Sequence, residues 1–213
     1  MLDYVGERWG LIAFQSFQHV SLVVQCVVLG SLLAVALAAL VYRNPTATAA
    51  ANGFSAVGLT IPSFALLGIL LAPFGFGITP AVIAITFYAA LPVLRNAVVG
   101  LAGVDRALVE SARGIGMSRM STLLRIELPL AWPVILAGIR VSTQMVMGIA
   151  AIAAYVLGPG LGGFIFTGLS RLGGANAINS ALTGTIAVVL LALVLDLLLV
   201  LAGRLTTPRG IRV

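Results

Sequence analysis

Val109-Glu110-Ser111-Ala112-Arg113-Gly114-Ile115-Gly116, then nine residues, then Ile126-Glu127-Leu128-Pro129, is the one strongly polar stretch in an otherwise apolar chain. Leu108, Ala112 and Ile115 fall at i, i+4 and i+7, which gives a short helix one apolar face. Asp105, Arg106, Glu110 and Arg113 occupy its other faces. Gly114 and Gly116 are placed to end that helix in a left-handed turn, and Ser118 to cap a second one running toward Leu128-Pro129. Pro129 and Pro133 are expected in the opening turns of the next long helix, where a missing N–H costs little. The stretch thus predicts a compact helix–turn–helix over 105–127. Read from these residues alone, a solvated interfacial loop held down by arginines near lipid phosphates fits it equally well.

What surrounds this stretch makes it an island between membrane spans. Of 213 residues 61% are hydrophobic and 8% charged, with mean hydropathy +1.16. A soluble domain carries about a quarter charged residues, so this chain lacks the charge to solvate a globular surface. No Asp, Glu, Lys or Arg occurs between Arg8 and Arg43, between Arg43 and Arg95, or between Arg140 and Arg171. A spanning helix needs roughly 20 apolar residues. Five spans are expected, at about 20–42, 51–71 (with Pro62 in its middle), 81–99 (with Pro92), 130–157 and 181–202. The fold class is all-α membrane protein, one transmembrane domain over 1–213.

The net charge of +6 comes from 12 basic residues, every one an arginine. In a soluble protein this balance would suggest nucleic acid; here the arginines flank apolar runs and report topology. Loops rich in positive charge stay in the cytoplasm. With 105–127 inside, arginines 43, 95, 106, 113, 119, 125, 204, 209 and 212 share the cytoplasmic side. Arg8 and Arg171 lie outside, and Arg140 lies within a span. The N-terminus is then outside and the C-terminus inside. Met1–Gly10, with Asp3, Glu7 and Arg8, does not read as a cleaved signal.

Little here supports bond chemistry. The phosphate loop of ATPases needs a lysine, and the chain has none. One histidine, His19, and one cysteine, Cys26, leave neither a zinc cluster nor a nucleophile–base pair. Cys26 reads as packing and His19 as an interfacial group. Gly158-Pro159-Gly160-Leu161-Gly162-Gly163 fits a dinucleotide glycine pattern in form, but no βαβ unit or downstream acid accompanies it. The region 158–180 instead reads as an external, close-packed loop with a short or re-entrant helix. Arg140 and Asp196 are each the single charge of their span. Each lies eight residues (roughly 12 Å) from a residue at the same membrane face, Trp132 and Arg204. Charges at such depth pair or face water, so the two are expected to meet.

The spacing Glu110-x-Ala112, three residues, Gly116, nine residues, Ile126-x-Leu128-Pro129 resembles the EAA motif of binding-protein-dependent ABC importer permeases. The motif's first alanine is Ser111 here, a small residue that fits the place. The resemblance implies that 105–127 is a coupling element docking into a groove on an ATPase subunit, with Glu110, Ser111, Ala112, Gly116, Ile126, Leu128 and Pro129 as its residues. Gly58–Leu67, Tyr88–Asn96 and Leu128–Arg140 are similar to the osmoprotectant permeases, which carry glycine betaine, proline betaine, carnitine or choline. That branch implies a five-span methionine-permease-like core in a bacterial cell membrane. It also implies an external substrate-binding protein, a second permease (a copy or a sister subunit) and ATP with Mg on separate ATPase subunits, with no cofactor on this chain.

Quaternary ammonium groups are held by aromatic faces. Tyr88, Tyr155, Phe74 and Phe76 are candidates for that contact. Pro62, Ser63, Arg140 and Asp196 are further pathway or gate candidates. An importer of the same fold carrying another small solute, such as an amino acid, is the alternative. A secondary transporter would predict inverted repeats, and none is visible.

Overall fold

The computed structural model describes residues 1–207, and these residues form helices and turns without a strand among them. The long helices are α1 (Leu2–Val41), α4 (Ile78–Ala102), α7 (Leu128–Ile152) and α9 (Ala177–Thr206). Between them lie α2 (Pro45–Thr60), α3 (Ser63–Phe74), α5 (Arg106–Gly114), α6 (Arg119–Thr122) and α8 (Gly162–Ser170). A π-turn over Leu123–Glu127 joins α6 to α7, and a 3₁₀ turn over Ala153–Val156 follows α7. Arg209 and Arg212, counted above for topology, lie outside the described residues.

α4 is the axis of the bundle and packs along α1 on one side and α7 on the other. Small residues permit the approach: a Cβ at Gly30 would lie 2.9 Å from the Thr86 carbonyl, and one at Gly138 only 2.7 Å from Asn96 Cβ. With few polar groups to pair, apolar helices associate through such close contact. One apolar cluster centres on Val23, Ile85, Met147 and Ala150. A second, toward α5, centres on Ala38, Val93, Ala97 and Ile135. A third joins Tyr4, Ile12, Leu161, Phe164 and Val188. The outer faces of α1 and α9 stay apolar and uncovered, as at Leu32, Leu40, Leu193 and Leu205. Such a surface suits lipid or another membrane subunit.

Sequence expectations change at several points. The span at 51–71 is not one straight helix: α2 and α3 meet at a 92° bend. Proline disfavours helical backbone in the residue before it; Ile61 (ψ 124°) and Pro62 (ψ 127°) are both extended, so the helix stops and restarts in a new direction. Among the described residues four helices are therefore long and apolar enough to cross a membrane, with a fifth span if the bent pair counts as one. The helix that carries the first span is likewise longer than 20–42, starting at Leu2.

His19 is not interfacial. It is fully buried, with Nε2 3.1 Å from the Met147 carbonyl, and Gly160 of the glycine-rich loop presses against it.

Pro129 is the second residue of α7 and Pro133 lies one turn further in, both in its opening turns as expected, although the helical path is continuous from Arg119. The π-turn absorbs the proline: the Leu128 N–H reaches back five residues to Leu123, so the ladder is already reset when the missing N–H of Pro129 arrives.

Candidate coupling element and intramembrane ion pair

Asp105 caps α5 by accepting the Ala107 N–H at 2.9 Å, and the helix ends after Gly114. There the Met117 N–H bonds the Ala112 carbonyl at 3.0 Å and the Gly116 N–H bonds the Arg113 carbonyl at 2.9 Å. These two bonds define a Schellman motif, with its left-handed residue at Gly116 (φ 86°). The four-residue interval from Ala112 to Gly116 is thus the interval from the third-last helical position to the helix stop. Gly114, also expected in a left-handed turn, is instead the last helical residue. Ser118 then caps α6 through the Ser121 N–H.

The expected apolar face of α5 is only partly covered. Ala112 alone is buried, while Leu108 is 48% and Ile115 81% exposed. Glu110 and Ser111 are also exposed, with the Ser111 hydroxyl donating back to the Ala107 carbonyl. Ile126 and Leu128 are half-buried at the π-turn, and Pro129 is exposed. The element therefore leaves the large apolar side chains of Leu108 and Ile115 uncovered on this chain.

A group that the sequence did not single out lies beside it. Glu127 is 3% exposed and accepts the Tyr42 hydroxyl at 2.7 Å and Arg43 Nη2 at 3.0 and 2.9 Å. The available signal was an acid placed directly against an apolar run.

Arg140 and Asp196 do meet. Arg140 Nε donates to Asp196 Oδ1 at 2.9 Å and Nη2 to Oδ2 at 3.0 Å, a two-pronged bridge between α7 and α9. Nearer the α5 end, Trp132 Nε1 donates to Thr206 Oγ1 at 2.8 Å and fixes the same two helices in register.

The pathway candidates separate. Pro62 and Ser63 stand at the bend. Tyr88 is buried, and its hydroxyl donates to the Ile61 carbonyl at 2.6 Å, pinning the broken backbone. Tyr155 is half exposed, its ring 4.6 Å from Phe64 and 6.0 Å from Phe166. Phe74 and Phe76 are exposed. No group of three or more His, Cys, Asp or Glu that could hold a metal occurs among the described residues.

Residues 27–207 match the family model described as binding-protein-dependent transport system inner membrane component. The chain belongs to that family. Its relatives include the glycine betaine/carnitine/choline transport system permease protein OpuCB of Bacillus subtilis, 35% identical over 100% of this chain and 96% of the relative. The carnitine transport permease protein OpuCB of Listeria monocytogenes is 39% identical over 100% of this chain and 95% of its own. The osmoprotectant import permease protein OsmW of Salmonella typhimurium is 37% identical over 99% of each. Among solved structures, the inward-facing MetNI methionine ABC transporter aligns with TM-score 0.79 at 20% identity, over 95% of this chain and 99% of that one. An amino acid ABC transporter aligns at 0.72, also with 20% identity, over 94% and 96%. At that identity these two likenesses show the fold, which is methionine-permease-like. The permease is accordingly a multi-pass membrane subunit of an inner-membrane transport system, and its turn at Gly116 and buried Glu127 both lie inside the matched region.

Proposed function

We propose that this permease carries an osmoprotectant quaternary ammonium solute (glycine betaine, proline betaine, carnitine or choline) into the cell as half of an ABC importer's membrane pathway. The observation that carries the reading is full-length identity of 35–39% to relatives named for glycine betaine, carnitine, choline or osmoprotectant transport. In this reading an external binding protein delivers the solute, and a second permease completes a route that one bundle does not enclose. ATP and Mg act on separate ATPase subunits, since a chain without lysine lacks the phosphate-loop residue. Residues 1–213 act as a single transmembrane domain with no bound cofactor. The N-terminus is outside and the C-terminus cytoplasmic, by the placement of the arginines.

The exposed Leu108 and Ile115 of α5, with Glu110, Ser111, Ala112 and the Gly116 turn, dock on the ATPase. Ile126, Leu128 and Pro129 join that docking element to α7. Around the bend, Pro62, Ser63 and Tyr155 border the pathway, with the Phe64–Tyr155 rings offering a face for a cationic headgroup. Arg140 and Asp196 hold α7 to α9 beside it, and Tyr88 supports the bend from behind. Uptake of labelled glycine betaine, choline, carnitine, methionine and histidine by cells carrying the complete system tests the substrate. Saturable uptake of a quaternary ammonium solute in excess of any amino acid is expected. A preference for an amino acid moves the assignment to a same-fold importer of that solute.

A further inference from the structure

Glu127 is the one acidic residue buried among the described residues, and all its partners come from the far end of α1. Arg43 Nε also donates to the Tyr42 oxygen at 2.6 Å, and the guanidinium carbon lies 5.1 Å from the centre of the Tyr42 ring. Tyr42, Arg43 and Glu127 therefore close a ring of hydrogen bonds across 84 residues of sequence. No such closure holds α5, which buries only Ala112. A cavity of about 420 Å³, lined by Arg43, Arg106, Val109, Glu110, Arg113 and Glu127 among others, separates α5 from the end of α1. The first charged group anchored to the bundle after α5 is then Glu127, at the last residue of the π-turn. A π-turn holds one more residue than an α-turn, is rare, and concentrates at functional sites.

We infer that Arg43, Tyr42 and Glu127 form a positioning latch through which displacement of α5 is passed to α1. A push on α5 reaches α6 and the π-turn along continuous backbone. The free volume beneath α5 lets it move without compressing the core, so the motion enters the bundle where the chain is tied down. A buried carboxylate gripped by one hydrogen bond from Tyr42 and two from the Arg43 guanidinium is a stiff joint. α1 therefore follows α7, and it does not slide past it. Read this way, the unlabelled position between Ile126 and Leu128 carries the mechanical link, while the residues around it shape the docking surface.

The experiment uses the complete importer reconstituted in vesicles with its ATPase, binding protein and both permease positions. It reads ATP hydrolysed per solute imported. E127Q keeps the shape and removes the charge; Y42F removes the hydroxyl's two hydrogen bonds, to Glu127 and from Arg43, and leaves the ion pair. E127Q is expected to raise the ratio about fivefold or more, the lower end of typical coupling between sites, with Y42F raising it less. A ratio equal to wild type in assembled E127Q overturns the latch, as does a proportional fall of both activities. If E127Q does not assemble, Y42F decides in the same way. The proposal rests on the coupling role given to α5. Gly116→Val uncoupling the complex while E127Q does not overturns the latch alone; both remaining coupled overturns the coupling role with it.

Discussion

Arg140 and Asp196 form a bidentate ion pair, with contacts of 2.9 and 3.0 Å, between two helices whose remaining neighbours are almost wholly apolar. The pair is half exposed on this chain, with side-chain exposures of 39% and 22%. It therefore faces either a second subunit or a water-filled path, since lipid would penalise both charges. An unpaired charge at such depth costs roughly 2.5–3.5 kcal/mol on insertion scales. Arg140→Met alone and Asp196→Leu alone are expected to lower the amount of assembled permease several-fold. Arg140→Asp with Asp196→Arg should recover it, because the fork and the carboxylate exchange helices but still meet. Immunoblots of membrane fractions check this; a double variant as scarce as the worse single removes the case for a direct interaction.

Gly116 is required by its backbone and not by crowding. Its φ is 86°, yet a Cβ there would meet nothing within 4 Å. An L-residue in this region costs about 1–2 kcal/mol, and the strain is confined to the turn after α5. Gly116→Val is expected to insert normally and lose solute-stimulated ATP hydrolysis in the assembled complex. Gly116→Asn, which tolerates the left-handed region, should retain more of it. Equal stimulation in wild type and the valine variant would refute the role given to this turn.

Gly168 shows the opposite kind of requirement. A Cβ there would stand 2.6 Å from both the Ala177 carbonyl and the Ala181 nitrogen, where α8 lies against α9. Gly168→Val must push the two helices apart, at a cost of about 1–3 kcal/mol. The melting temperature of the detergent-solubilised permease should fall by several degrees. Gly163→Ala, whose Cβ would have its nearest neighbour at 3.9 Å, serves as the control with no shift. A Gly168 variant as stable as the control would mean that α8 is not docked on α9.

Purified without partners, the permease is expected to hydrolyse no ATP above background, because no lysine is available for a phosphate loop. Turnover that persists after removal of every ATPase subunit contradicts this directly.

Local rules made much of the molecule legible in its sequence. Charge-free blocks specify membrane helices because a bilayer excludes unpaired charge whatever the tertiary arrangement. Pro62 is visible as a constraint on its own φ and on the residue before it, yet the span is expected to run through it. The Ala112–Gly116 interval specifies a helix stop because the Schellman bonds close over a fixed number of residues. Even the Arg140–Asp196 pairing followed from depth, since helical rise converts sequence distance into ångströms along the membrane normal.

Tertiary packing decided the rest. Periodicity marks Leu108, Ala112 and Ile115 as one face but not which of them the bundle covers: Ala112 is buried, while Leu108 and Ile115 are exposed. Pro62 breaks the helix, but the 92° direction of the second half depends on what it packs against, including the Tyr88 hydroxyl that holds Ile61. His19 looks like an interfacial group in sequence, and nothing there singles out Glu127. They are buried because Met147, Gly160, Tyr42 and Arg43 arrive from elsewhere in the chain to enclose them. Spacing governs what residues a few positions apart must do. Burial of a polar group is set by partners that only the fold brings within reach.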